Sequence, residues 1–136
     1  MTMYVPTTEH NDDRLAGTLA FLNRGTGQAR FDIYDGARPS TSATAIGAQT
    51  LLVSIYLDDP AGSLVSHALV LASSTAAFVL ATGTPTWARS YNGEGTAGGD
   101  CDVTGVGGGG QIEIEVGPDG KVYAGGGTAL VSAVFT

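Results

Sequence analysis

Hydrophobic and polar residues alternate clearly in residues 30–34, where Phe31 and Ile33 would point to one face of a strand. The residues between and beside them would point to the other face. Asp35-Gly36 is a turn signal, and Pro39 prevents a simple continuation of the strand. We therefore predict a half-buried strand over residues 28–34 that ends in a rigid, charged turn.

A different periodicity precedes this strand. Leu15, Leu19 and Leu22 are spaced as on one apolar face of a helix. Asp12 or Asp13 can cap the N-terminus of that helix, and a glycine at position 25 can end it. We predict a helix over residues 12–24, preceded by an extended arm over residues 1–11.

The rest of the chain contains short β patterns separated by glycine and proline turns. The clearest is Gln111–Val116, with Ile112, Ile114 and Val116 on one face. The predicted strands cover residues 28–34, 50–57, 68–71, 77–80, 84–91, 111–116, 121–124 and 128–135. They predict a single, mainly β domain over residues 12–136, an antiparallel β-sandwich or small barrel with one short N-terminal helix.

Composition limits the partners. Of the 136 residues, 43% are hydrophobic, so a folded core is expected, although alanine, valine and leucine dominate it. A net charge of −7 disfavours binding to nucleic acid and to acidic membranes. The apolar run over residues 68–81 is too short and too polar for a membrane span. No secretory signal is visible at the N-terminus, and Cys101 is the single cysteine, so synthesis in a reducing cytoplasm is expected.

Glycine is concentrated in the last third of the chain. Fourteen of the 21 glycines lie between Gly93 and Gly127, and Gly107–Gly110 is a continuous run. The run is compatible with flexible connectors between strands or with close backbone approach to another subunit. A phosphate cradle is disfavoured because no Lys-Ser/Thr pair or helix follows the run.

The residues that could carry chemistry have simpler structural explanations. His10 lies in the predicted arm and His67 in an apolar strand context, where a lone histidine is usually structural. Cys101 lies between two aspartates, which would raise the pKa of its thiol and oppose nucleophilic use. We predict no catalytic residue and no cofactor.

Acidic and aromatic residues leave weaker alternatives. Neither Asp58-Asp59 nor Asp100-x-Asp102 matches a calcium loop, so we predict no metal site within the chain, with a divalent ion at a subunit interface left open. A glycosidase pair would need Asp35 and Glu113 to lie close together. Trp87 with Tyr91 can form a sugar platform if the rings are exposed, but a core tryptophan is the expected arrangement.

Two segments carry a resemblance to a known family. Residues 31–39 (FDIYDGARP) and residues 81–89 (ATGTPTWAR), with Asn92-Gly93 close behind, resemble small proteins from the structural modules of tailed bacteriophages. The resemblance covers about residues 15–92. It implies a non-enzymatic virion protein, a decoration or cement protein on the outer face of the major capsid lattice, made in the host bacterial cytoplasm and assembled as a homotrimer.

In such a protein, the arm residues Tyr4, Val5 and Pro6 would reach over a neighbouring subunit. Asp35 and Arg38 would hold the turn or pair across subunits, and Arg89 would lie at an interface. Independently of the resemblance, the expected ion-pair partners of Arg38 and Arg89 are Asp32, Asp35 or a neighbouring chain. One alternative is a tail, neck or head-completion protein. The other is a carbohydrate-binding β-sandwich used for host attachment.

Overall fold

The structure of the protein, a computed structural model, describes residues 4–136. In this range the chain forms one helix, α1 (Thr8–Leu22), and ten strands. The strands are β1 (Arg30–Tyr34), β2 (Leu51–Tyr56), β3 (Gly62–Val65), β4 (Ala68–Leu71), β5 (Ala77–Phe78), β6 (Trp87–Tyr91), β7 (Ala97–Gly105), β8 (Ile112–Ile114), β9 (Gly127–Thr128) and β10 (Leu130–Phe135). No helix among these residues has the length and apolar character needed to cross a membrane.

The helix begins earlier than the sequence predicts. It starts at Thr8 rather than Asp12, because the Thr7 hydroxyl accepts a hydrogen bond from the His10 amide at 3.2 Å and caps the first turn. Residues 8–11 are therefore helical, and the predicted extended arm of residues 1–11 was wrong there. Met1–Met3, also part of that arm, lie outside the described residues.

The apolar face predicted for the helix is confirmed. Leu15 and Leu22 are buried, and Leu19 packs against the same core. The helix ends at Leu22, two residues before the predicted end, and Asn23 is its C-cap. Gly25 has a left-handed φ of 89°, which glycine adopts without strain.

Eight strands form one curled sheet, a half-barrel, in the order β2-β1-β6-β7-β8-β10-β4-β3. Strands β5 and β9 form a separate two-stranded sheet. The predicted mainly β fold with one short N-terminal helix is confirmed. All neighbours in the large sheet are antiparallel except β7 and β8, which are parallel, so the prediction of a purely antiparallel fold was wrong for that pair.

The parallel pair explains the glycine run. Residues 106–111 connect β7 to β8, a much shorter connection than the dozen or more residues that parallel neighbours usually need. Gly107 and Gly109 have left-handed φ values of 83° and 85°. At Gly108 a Cβ atom would lie 2.6 Å from the Thr104 side chain. Glycine is therefore needed for backbone conformation at Gly107 and Gly109 and for space at Gly108. The predicted approach to another subunit stays a prediction.

Two strands carry no clear local signal. Strand β7, with the sequence AGGDCDVTG, is rich in residues that are depleted in strands, and β3 follows a turn signal at Asp58–Gly62. Both form because neighbouring strands supply hydrogen-bond partners, β6 and β8 for β7 and β4 for β3. Conversely, predicted strand 121–124 contributes only an isolated bridge between Val122 and Gly83.

The core lies on the concave side of the large sheet, under α1. Its largest fully buried members on this side are Phe31, Ile33, Leu52, Ile55, Leu57, Leu69, Ile112 and Ile114. The helix packs against β3 and β4. The opposite, outer face of β1 is also covered, since Asp32 and Tyr34 are buried, so the prediction of a half-buried strand was wrong.

Candidate functional site

The two sequence motifs are neighbours in the sheet. Strands β1 and β6 pair antiparallel, with Asp32 opposite Arg89 and Tyr34 opposite Trp87. The segments 31–39 and 81–89 therefore meet along one pair of strands. We call one connected set of outer-face residues on β2, β1, β6 and β7 the polar ladder. Its members are Ser54, Arg30, Asp32, Tyr34, Trp87, Arg89, Tyr91 and Asp100.

An aromatic stack forms the middle of the polar ladder. The rings of Tyr34 and Trp87 are 4.7 Å apart at their centroids and 16° from parallel. The Trp87 Nε1–H donates to the Asp35 carbonyl at 3.1 Å, and burial is the main cause that raises the pKa of Tyr34. Trp87 is only 1% exposed. The expected core tryptophan is confirmed, and this ring cannot act as a sugar platform.

Arg89 and Asp100 form the buried ion pair of the polar ladder. Arg89 Nε and Nη2 donate to the two Asp100 carboxylate oxygens at 2.7 and 3.0 Å, a bidentate arrangement. Arg89 Nη1 donates to the Thr44 carbonyl at 2.7 Å, which ties the loop after β1 to the sheet. The hydrogen bond to Asp100 raises the pKa of Arg89 more than burial lowers it. The predicted partners Asp32 and Asp35 were wrong.

Asp32 is held by other groups. Arg30 Nε donates to Asp32 Oδ1 at 3.0 Å, and the Ser54 hydroxyl donates to the same oxygen at 2.7 Å. The Arg30 guanidinium also lies 4.2 Å from the centre of the Tyr91 ring, a favourable cation–π distance. Tyr91 is half-buried, so one face of this ring is covered within the chain.

The turn after β1 is fixed as the sequence predicts. Asp35 Oδ1 accepts a hydrogen bond from the Thr50 amide at 2.7 Å, so this carboxylate holds the turn. Arg38 pairs with Asp102 across 3.3 Å, so its predicted partners Asp32 and Asp35 were wrong, and both side chains of the pair are substantially exposed. Asp35, Arg38 and Arg89 thus all have partners inside the chain, and their predicted role at a subunit interface stays a prediction.

Cys101 and His67 both lie in surroundings that favour a structural role. Cys101 is buried between Asp100 and Asp102, and burial followed by these two charges raises the pKa of its thiol to about 12. His67 lies in the β3–β4 turn with a left-handed φ of 66°, rather than in a strand, and its Nδ1 is 2.9 Å from Asp12 Oδ2. The thiol is therefore neutral at physiological pH and a poor nucleophile.

The arm residues lie before α1. Tyr4 and Val5 are 69% and 79% exposed, and Pro6 is half-buried. The Tyr4 hydroxyl is 2.6 Å from His10 Nδ1, so the arm contacts the first turn of the helix. The role predicted for these residues at a subunit interface also stays a prediction.

Asp35 and Glu113, the carboxylates considered for a glycosidase pair, lie far apart in the sheet. Asp35 follows β1 and Glu113 lies in β8, with β6 and β7 between those strands, which corresponds to about 14 Å at the usual strand spacing. That is too far for the carboxylates of a glycosidase. The Glu113 carboxylate accepts the amides of Gly107 and Gly109. Among residues 4–136, no three His, Cys, Asp or Glu side chains are grouped to hold a metal.

Sequence reasoning missed one exposed surface, which we call the apolar groove. Tyr56, Phe78 and Leu80 are 49%, 65% and 55% exposed and line a depression of about 300 Å³. The Leu80 amide donates to the Leu52 carbonyl at 2.7 Å, which holds this segment against the edge of β2. The run Ala77–Leu80 resembles a buried strand, and only the tertiary structure exposes Phe78 and Leu80.

Comparisons of the chain with protein-family models, curated protein sequences and solved structures found no match.

The charged side chains of the polar ladder pair with one another, and Arg89 ties a surface loop to the sheet, so the ladder has a structural role. The apolar groove and the exposed arm, by contrast, offer large hydrophobic side chains to the outside. Exposed apolar side chains of this kind are common at surfaces that contact other macromolecules.

Proposed function

We propose that this chain is a non-enzymatic structural protein of a tailed-phage virion, a decoration protein that binds and stabilises the major capsid lattice. The observation that carries the proposal is the pairing of the two motif segments. The two segments on which the phage resemblance depends contain strands β1 and β6, which pair with each other, and the turn that follows β1. A likeness spread over unrelated parts of the fold would be weaker support.

The chemistry of the polar ladder supports this proposal. The Arg89–Asp100 pair has side chains only 6% exposed, and Asp32 accepts hydrogen bonds from two neighbours. Groups held in this way stabilise one rigid geometry and are not available for proton transfer. Rigidity is the property that a shell-stabilising protein requires.

The apolar groove and the arm are the surfaces that we assign to contact with the shell. Phe78, Leu80 and Tyr56 on the groove and Tyr4 and Val5 on the arm provide hydrophobic contact area. A specific interface needs roughly 1,000 Å² of buried surface or more. Many copies on one shell would compensate for a modest affinity of each contact. Self-association as a homotrimer would add to that avidity.

Copy number tests the assignment. Quantitative mass spectrometry of purified particles of the encoding phage should find hundreds of copies of the chain per virion. A ring-sized copy number would instead identify a tail, neck or head-completion protein. Absence of the chain from purified particles would contradict a virion role altogether.

The contact surface is tested separately. Phe78→Ser combined with Leu80→Ser should abolish co-sedimentation of the chain with capsids that lack it, because the largest apolar contacts of the groove are removed. Tyr123→Ser is the matched control, since Tyr123 is 50% exposed and lies outside the groove. Equal binding by both variants would show that the groove is not the contact surface.

A further inference from the structure

The concave side of the sheet is not completely filled. A cleft of about 550 Å³ lies between α1 and strands β6, β7 and β10, within the size range of small-molecule sites. We call it the inner cleft. It lies on the other face of the same strands from the polar ladder, with which it shares only Asp100, and it is separate from the apolar groove beside β2.

The body of the inner cleft is apolar. Phe21 and Leu22 of α1 and Phe31, Leu71 and Phe135 of the sheet contribute to its walls. The rings of Phe31 and Phe135 stack with their centroids 6.4 Å apart. The Ser90 hydroxyl is occupied by Gly99, whose amide donates to it at 3.0 Å. A ligand that fills this space must therefore be largely hydrocarbon.

Glycine keeps the inner cleft open. Gly17 lies in the middle of α1, where glycine costs roughly 1 kcal/mol relative to alanine. It does not have a left-handed φ, and a Cβ atom there would meet nothing within 4 Å. Gly98 is different, because a Cβ atom there would lie 2.8 Å from the Phe21 ring. Close packing against Phe21 therefore explains why glycine is needed at position 98, whereas Gly17 leaves open space beside the helix.

One positive charge lies beside this space. Arg14, Gly17, Thr18 and Phe21 fall at helix spacing i, i+3, i+4 and i+7 and line the inner cleft together. The other four arginines each pair with a carboxylate; the pairs are Arg24–Glu94, Arg30–Asp32, Arg38–Asp102 and Arg89–Asp100. Within residues 4–136, Arg14 has no such partner.

The remaining ionisable groups of the lining do not compete for this charge. The Asp100 carboxylate is 6% exposed and both its oxygens accept hydrogen bonds from Arg89. The pKa of the Cys101 thiol is raised to about 12, so this thiol is neutral at physiological pH. The inner cleft thus combines hydrocarbon walls with a single available cation.

We propose that the inner cleft binds an amphiphilic anion, a medium-chain alkyl carboxylate whose carboxylate pairs with Arg14 and whose chain lies over Gly17 against Phe21 and Phe31. The guanidinium suits a carboxylate because it offers two parallel N–H donors. The apolar chain gains from removal of its surface from water. This binding does not depend on the role of the chain in a virion.

Decanoate is the probe, titrated into the full chain by calorimetry below its micelle-forming concentration. We expect saturable binding of one molecule per chain, with the methyl resonances of Leu22 and Leu71 shifted. Arg14→Gln should weaken binding at least about tenfold, the effect of losing one charged hydrogen bond. Decanol, which has the chain but no charge, should bind the wild-type protein more weakly to a similar extent.

Two leucine substitutions on α1 locate the site. Gly17→Leu should fill the inner cleft and abolish binding while strengthening the helix. Ala20→Leu is the matched control, because Ala20 is exposed and does not line the cleft. The proposal is overturned if wild-type protein shows no saturable binding or if Gly17→Leu still binds. Equal affinity for decanol and decanoate would overturn the role of Arg14.

Discussion

The two faces of strand β7 use charge in opposite ways. On the outer face, Asp100 holds Arg89 in a buried, bidentate pair. On the inner face, Cys101 and Gly99 help to line a cleft beside Arg14, an arginine with no carboxylate partner in the described part of the chain. A paired, buried arginine stabilises the fold, whereas an arginine without a partner beside apolar space is available to a ligand. Sequence alone does not distinguish them.

The largest difference between the two faces should appear when each arginine is replaced by methionine, which keeps much of the apolar stem. Arg89→Met leaves the Asp100 carboxylate buried without a partner and should lower the free energy of unfolding by about 3–5 kcal/mol. Arg14→Met removes an exposed group and should change it by less than about 0.5 kcal/mol. Urea unfolding followed by circular dichroism measures both.

A second substitution separates lost pairing from lost packing. Adding Asp100→Asn to Arg89→Met removes the buried charge and should recover part of the stability. If Arg89→Met alone is as stable as Arg14→Met, the Arg89–Asp100 pair is not a structural element of the fold, and the contrast between the two faces fails.

Cys101, on the inner face, gives an intermediate effect, because its thiol is buried but neutral. Its pKa is raised from 9.0 to about 12 in the folded chain, so the unfolded chain loses the thiol proton first as the pH rises. The contribution of the buried neutral thiol to stability is complete below about pH 9 and is lost between there and about pH 12, at no more than about 1.4 kcal/mol per pH unit.

Cys101→Ala provides the comparison for this pH dependence. Urea unfolding in the presence of a reductant, at about pH 8 and about pH 10.5, should show a smaller loss of stability for the variant than for the wild-type chain. Lysine and tyrosine titrate in both proteins, so the difference between the two slopes isolates the thiol. Identical slopes would mean that the thiol is not protected by burial.

Local patterns explain how much of the fold was predictable. The leucine face of α1 and the alternation in β1 and β8 depend on spacing within one segment, and these elements were found. Strand β7 was missed because its glycines and aspartates form a strand only between two partners. Helix α1 starts earlier than predicted because Thr7, and not Asp12 or Asp13, is its N-cap.

The candidate sites were less predictable for a related reason. Pairing of β1 with β6 places Arg89 opposite Asp32, yet Arg30 and Ser54 donate to Asp32 Oδ1, and Arg89 pairs with Asp100 instead. That choice depends on which neighbours compete for each oxygen. The inner cleft needs α1 to lie over the sheet, and no local pattern fixes that placement. The spacing of Arg14, Gly17, Thr18 and Phe21 was the one available signal.

The smallest expected effect comes from Arg38, whose pair with Asp102 has side chains 46% and 63% exposed. Arg38→Ala should cost no more than about 1 kcal/mol, because an exposed pair gains little in water and is screened by salt. The loss measured by urea unfolding should shrink further in high salt. Arg89→Met should keep most of its effect under the same conditions, since buried charges are screened much less. A large, salt-independent loss for Arg38→Ala would place this residue with the buried pair and would show that exposure does not separate the structural arginines from the others.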